Sequence, residues 1–79
     1  MTCVIDYEYI YGEVYVYSDS YVRQLPSLNG SQLGVARAGA ILDFLGDIST
    51  DSRGVDWYRV VFGSGTGWIS SMYTYLEED

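Results

Sequence analysis

The stretch Asp56–Leu76, DWYRVVFGSGTGWISSMYTYL, decides the fold class. Trp57 to Phe62 is dense in aromatic and β-branched residues, which fit a pleated, half-buried strand. The following GSGTG reverses the chain tightly, since glycine-rich sequence makes the shortest turns. Trp68 to Ser70 is then a short strand, SSMY a last turn, and Thr74 to Leu76 a final strand. Strands this short, separated by turns, belong to an all-β domain.

The same grammar extends upstream. Ala40 to Leu45 reads as a strand closed by Gly46 and Asp47, and Ile48 to Asp56 as a polar turn. Ser27 to Leu33, just after Pro26, reads as loop, and Tyr21 to Arg23 as a short extended piece. Alternation is clearest near the N-terminus. Ile5, Tyr7, Tyr9 and Tyr11 share one parity, with Asp6, Glu8 and Ile10 on the other. From Glu13 to Tyr17, Val14 and Val16 oppose Glu13, Tyr15 and Tyr17. Two strands folded about Gly12 as a hairpin explain this pattern. No segment keeps a helical period, and GVARAGA (34–40) is the one weak candidate. Val16, Val22, Leu33, Leu42, Phe44, Val60 and Ile69 are the expected inward positions.

Composition narrows the function. The chain has 79 residues, room for one domain. Eleven acids face four basic residues, all arginine, for a net charge of −7. Such a chain repels nucleic-acid phosphates and an anionic membrane surface, so neither is an expected partner; a basic partner is attracted. Catalysis needs a nucleophile with a base, a metal, or tuned carboxylates. The chain has no histidine or lysine, and Cys3 stands alone near a terminus. No catalytic residue, metal ligand set or cofactor motif emerges. The N-terminus lacks the basic and apolar regions of a signal peptide. A complete chain would therefore be cytoplasmic, and a fragment of a secreted protein would be extracellular or in the cell wall.

The run from Ser20 to Leu76 resembles the bacterial SH3-like (SH3b-type) family, in four segments in the right order. They are Ser20-Tyr21-Val22-Arg23 with Gln24-Leu25-Pro26-Ser27; Leu33-Gly34, Gly39 and Ile41 to Gly46; Asp56-Trp57-Tyr58-Arg59-Val60; and Gly67-Trp68-Ile69-Ser70-Ser71-Met72-Tyr73 with Leu76. Tyr21 replaces the family's usual asparagine, and the signature for proline-rich peptides is not present. The resemblance implies an all-β small barrel of about five short strands over 13–79. Residues 1–12 fall outside it as an extra Tyr-rich strand. It also implies a non-catalytic recognition module for a peptide, a cell-wall glycopeptide or a protein.

Candidate site residues follow, each with a plainer reading beside it. Tyr58, Trp68 and Tyr73, with Tyr21 nearby, would line an aromatic groove. Trp57 and Trp68 read first as core, since large aromatics dominate small cores. Tyr58 is more open, lying on the face opposite Trp57. Arg23 reads as structural, its planar fork holding a carboxylate or carbonyl. Asp43, Asp47, Asp51 and Asp56 read as a solvated acidic turn, because their spacing is not that of a calcium loop. Tyr7, Tyr9 and Tyr11 form either a second small core or a contact surface for a partner or a second copy of the chain. A second function stays open on charge and size: a stand-alone acidic inhibitor, of the kind phages direct at host defence nucleases, occupying a basic nucleic-acid-handling enzyme.

Overall fold

The computed structural model describes residues 10–78. It is all-β, with seven strands and one short 3₁₀ turn. In chain order these are β1 (Gly12–Val16), β2 (Ser20–Arg23), β3 (Gln32–Ala36), β4 (Ile41–Thr50), β5 (Asp56–Phe62), β6 (Gly65–Ser70), the 3₁₀ turn Ser71–Tyr73, and β7 (Thr74–Glu78). All are joined in one antiparallel sheet ordered β3-β2-β6-β5-β4-β1-β7.

The sheet has to curl into a barrel-like shape. β1 and β2 stand four places apart in it, about 19 Å at the usual strand spacing. Yet Val16 and Ser20 are four residues apart in the chain, a reach of at most about 14 Å. Curling brings Val14 and Val16 of β1 against Val22 of β2, Ala36 of β3, Phe44, Val60 and Ile69 in one buried cluster. Among the described residues the ladder does not close, and β3 and β7 remain its edges.

Five of the expected inward positions are buried: Val16, Val22, Phe44, Val60 and Ile69. Leu42 is half-buried against them. Leu33 is not buried; it is 46% exposed, although its Cδ1 reaches the inward side of Gly67. The reason is a β-bulge. Val22 pairs with Gly34 and Arg23 with Gln32, so Leu33 is the extra residue between them. Val14, Ala36 and Trp57 complete the buried set.

Other expectations give way for local reasons. Gly46 and Asp47 do not end a strand. Gly46, at φ +96°, takes the left-handed conformation that glycine tolerates. It sits inside a bulge between Phe44 and Ile48, beyond which β4 runs on to Thr50. The polar turn is therefore shorter, 51–55. Part of GVARAGA is strand, ending β3 at Ala36. Gly12 makes no hairpin: it pairs with Phe44 on one side and Glu78 on the other. A Cβ there would collide with the Glu77 carbonyl oxygen. The Tyr11 N–H donates to the Phe44 carbonyl at 2.8 Å, so the chain continues along β4. Residues 5–9 of the expected Ile5–Tyr11 strand, Tyr7 and Tyr9 among them, lie outside the described residues.

Gly67 shows why the Gly-Trp pair of β6 is needed. Its missing side chain faces inward, where a Cβ would stand 2.5 Å from Val22 Cγ1 and 3.0 Å from Leu33 Cδ1. The crowding comes from side chains of β2 and β3, Val22 and Leu33.

Candidate functional site

Alternation on β5 puts Trp57 and Tyr58 on opposite faces, with Trp57 buried and Tyr58 the more open of the two, but it is Tyr58 that turns to the core. Tyr58 faces the barrel interior in register with Ile69, and its ring meets Phe44 edge-on at 5.9 Å. Burial, with Asp56 and Glu78 adding to it, raises the Tyr58 phenol above its ordinary pKa. Trp57 lies on the other face and is nonetheless only 1% exposed.

What covers Trp57 is the turn after β4. The Asp51 carboxylate accepts five N–H donors. Oδ1 takes the backbone N–H of Arg53 (2.8 Å) and Val55 (3.1 Å). Oδ2 takes Nη2 (2.8 Å) and Nε (3.2 Å) of Arg53 and the Trp57 indole N–H (2.9 Å). These bonds, the indole foremost, hold the carboxyl well below the usual carboxylate range. Asp51 is thus the tie of the turn rather than one of a solvated acidic group. Asp47 pairs with Arg59 at 3.0 Å, and Asp56 accepts the Thr50 hydroxyl at 2.7 Å. Asp43 lies apart from them on β4, opposite Glu13. Among the described residues no Cys, His, Asp or Glu group is placed to hold a metal.

Trp57 forms the floor of a cleft of about 350 Å³. Tyr21 and Leu28 come to it from β2 and the following loop, Met72 and Tyr73 from the 3₁₀ turn. All four are exposed at its rim. The walls are fixed from below. Arg23 Nη1 donates to the carbonyls of Gly30 (3.0 Å) and Leu28 (3.2 Å), pinning the loop, and its guanidinium lies 5.5 Å from the Tyr21 ring centre. The expected structural use of Arg23 takes the carbonyl form. Ser70 caps the 3₁₀ turn by accepting the Met72 N–H at 3.0 Å. Tyr17, just after β1, holds the same turn: its hydroxyl donates to the Met72 carbonyl and its N–H to that of Tyr73. A second depression of about 300 Å³ shares Tyr21 and extends to Val35 and Arg37.

Of the expected groove residues, then, Tyr21 and Tyr73 meet in the cleft. Tyr58 turns to the core. Trp68, half-buried, stands in register between Arg23 and Arg59 on the outer face and does not line the cleft. Tyr11 is exposed elsewhere, its ring over Gly46. Leu28, Met72 and Arg53 are lining residues that sequence reading missed. Trp57, which reads first as core, is both buried and part of the cleft lining. The signal for Met72 was present in SSMY, where a serine cap before two bulky residues marks a short turn that displays them.

Chemically, the cleft is an aromatic and apolar trough with Arg53 and Asp19 at its margins and no nucleophile–base pair. Its lining offers ring faces and apolar side chains for stacking and apolar contact. No helix among the described residues is long and apolar enough to cross a membrane. A family model described as bacterial SH3 domain matches residues 18–75. No curated protein and no solved structure gives a significant match.

Proposed function

We propose, from the premise that the chain belongs to the bacterial SH3 domain family, that it takes a short extended peptide into the Trp57 cleft, the peptide part of a cell-wall glycopeptide being the favoured source. The observation that carries this reading is the meeting of Tyr21, Leu28, Met72 and Tyr73 over one buried indole. Tyrosine brings large contact area with few rotors to freeze, which suits a recognition surface. The rim is pre-organised by Arg23, Ser70 and Tyr17, so little ordering is left for the moment of binding. The exposed Arg53 guanidinium, tied on one side to Asp51, is placed to meet a peptide carboxylate.

Retention of the protein on purified cell walls, set against capture from a cell lysate, tests the source of the ligand. Tyr21→Ala with Tyr73→Ala tests the site. The pair should lose binding at least tenfold while the melting temperature moves little. Wall binding that survives both substitutions places the ligand elsewhere and removes the cleft from consideration.

A further inference from the structure

The outer face of β4, β1 and β7 carries no basic residue at all. Register places Asp43 opposite Glu13 and Glu13 opposite Glu77, so three carboxylates from distant parts of the chain form one cross-strand row. Like charges directly opposite destabilise a sheet. No cation relieves them among the described residues. Arg37, Arg53 and Arg59 bridge to Asp19, Asp51 and Asp47, and Arg23 is spent on two carbonyls. The next row is apolar: Ile41 opposite Tyr15, and Tyr15 opposite Tyr75. Ile41 and Tyr75 are 57% and 58% exposed. The tyrosines aim the acids: Tyr15 donates its hydroxyl to Glu13 at 2.9 Å, and a hydrogen bond to Glu77 raises the Tyr75 phenol.

We infer that this face is a second docking surface, separate from the cleft, and that its occupant is an arginine-rich extended segment of a partner protein. Charge complementarity selects that occupant. A second copy of the chain would set one carboxylate row against another, in a molecule of net charge −7. Arginine answers both rows, since its planar fork pairs with carboxylates and stacks on tyrosine faces. Spacing agrees. The acidic row spans about 10 Å over three strands, and arginines two apart on an extended segment stand about 6.7 Å apart. Two of them therefore sit against the three acids.

An eight-residue peptide of alternating arginine and serine is the probe, titrated into the isotopically labelled full chain. Amide shifts should cluster at Glu13–Tyr15, Ile41–Asp43 and Tyr75–Glu77, and the affinity should fall as salt rises. Glu13→Gln should weaken binding severalfold, and Glu13→Gln with Asp43→Asn and Glu77→Gln at least tenfold. Asp47→Asn removes the same unit of charge elsewhere and should change it little. Equal losses for Glu13→Gln and Asp47→Asn would show attraction to net charge alone and overturn the inference. Equal binding of the lysine–serine peptide would overturn the choice of arginine, and shifts confined to the cleft would overturn the site. Tyr73→Ala should leave this binding unchanged, so failure here and failure of the cleft reading are separable.

Discussion

The Trp57 cleft and the β4–β1–β7 face treat charge in opposite ways. Around the cleft almost every ion is consumed by architecture. Asp51 collects five donors, Arg23 holds two carbonyls, and Asp19 accepts the Ala38 N–H. On the sheet face Glu13, Asp43 and Glu77 stand in a row with no cation beside them among the described residues. The difference separates charges that build the fold from charges the fold tolerates. Removing one of the first kind should unfold or loosen the domain. Removing one of the second should tighten it.

The largest effect belongs beneath the cleft. Trp57→Ala removes a buried large aromatic, a loss of about 3–5 kcal/mol, in a small domain whose total is roughly 5 kcal/mol. The variant should be largely unfolded by circular dichroism. Trp68→Ala, with a half-buried ring, should cost only about 1–2 kcal/mol and stay folded. Were the two equally damaging, Trp57 would not be the special support of the cleft.

Asp51→Asn comes next and carries a pH signature. The folded carboxyl is depressed, so its stabilisation is fully present above the unfolded carboxylate pKa and is lost as pH falls through the folded one. The melting temperature of Asp51→Asn should lie clearly below that of the parent at pH 7. The gap should narrow below about pH 4, where an unfolded aspartate starts to hold its proton. A gap independent of pH would mean the turn is held by the backbone bonds alone.

The smallest effect has the opposite sign. Glu13→Gln removes the middle charge of the row and should stabilise the domain by a few tenths to about 1 kcal/mol, read by chemical denaturation. The gain should shrink in about 1 M salt, where screening acts over roughly 3 Å. Loss of stability at low salt would show that Glu13 is structural after all, through its bond from Tyr15.

Strand positions were legible wherever alternation was clean, as in Glu13–Tyr17 and Trp57–Phe62. They were illegible where irregularity carried the geometry. Gly46 and Asp47 look like a stop, yet a bulge is an interruption the strand survives. Leu33 has the parity of a fully buried residue only if no extra residue intervenes, and it is itself that residue, left 46% exposed. For the site, Tyr21 and Tyr73 were found because they sit in local motifs. The role of Asp51 depends on a turn conformation that brings an indole six residues away onto its oxygen. The row Asp43–Glu13–Glu77 depends on pairing between strands far apart in sequence, which no local pattern reports.

That long-range pairing bears on the order in which the domain can assemble. β1 lies inside the sheet, between β4 and β7, although it comes first among the described strands. Its register with β7 couples Gly12 to Glu78. On a ribosome, Val14 and Val16 therefore have no complete enclosure until residue 78 has cleared the exit tunnel. Contacts of such sequence separation make folding slow, on the order of milliseconds to seconds for small β-domains. During that interval an alternating valine–tyrosine strand is an open template for other chains. The acids at positions 13 and 43, costly once folded, disfavour such pairing through like-charge repulsion between copies.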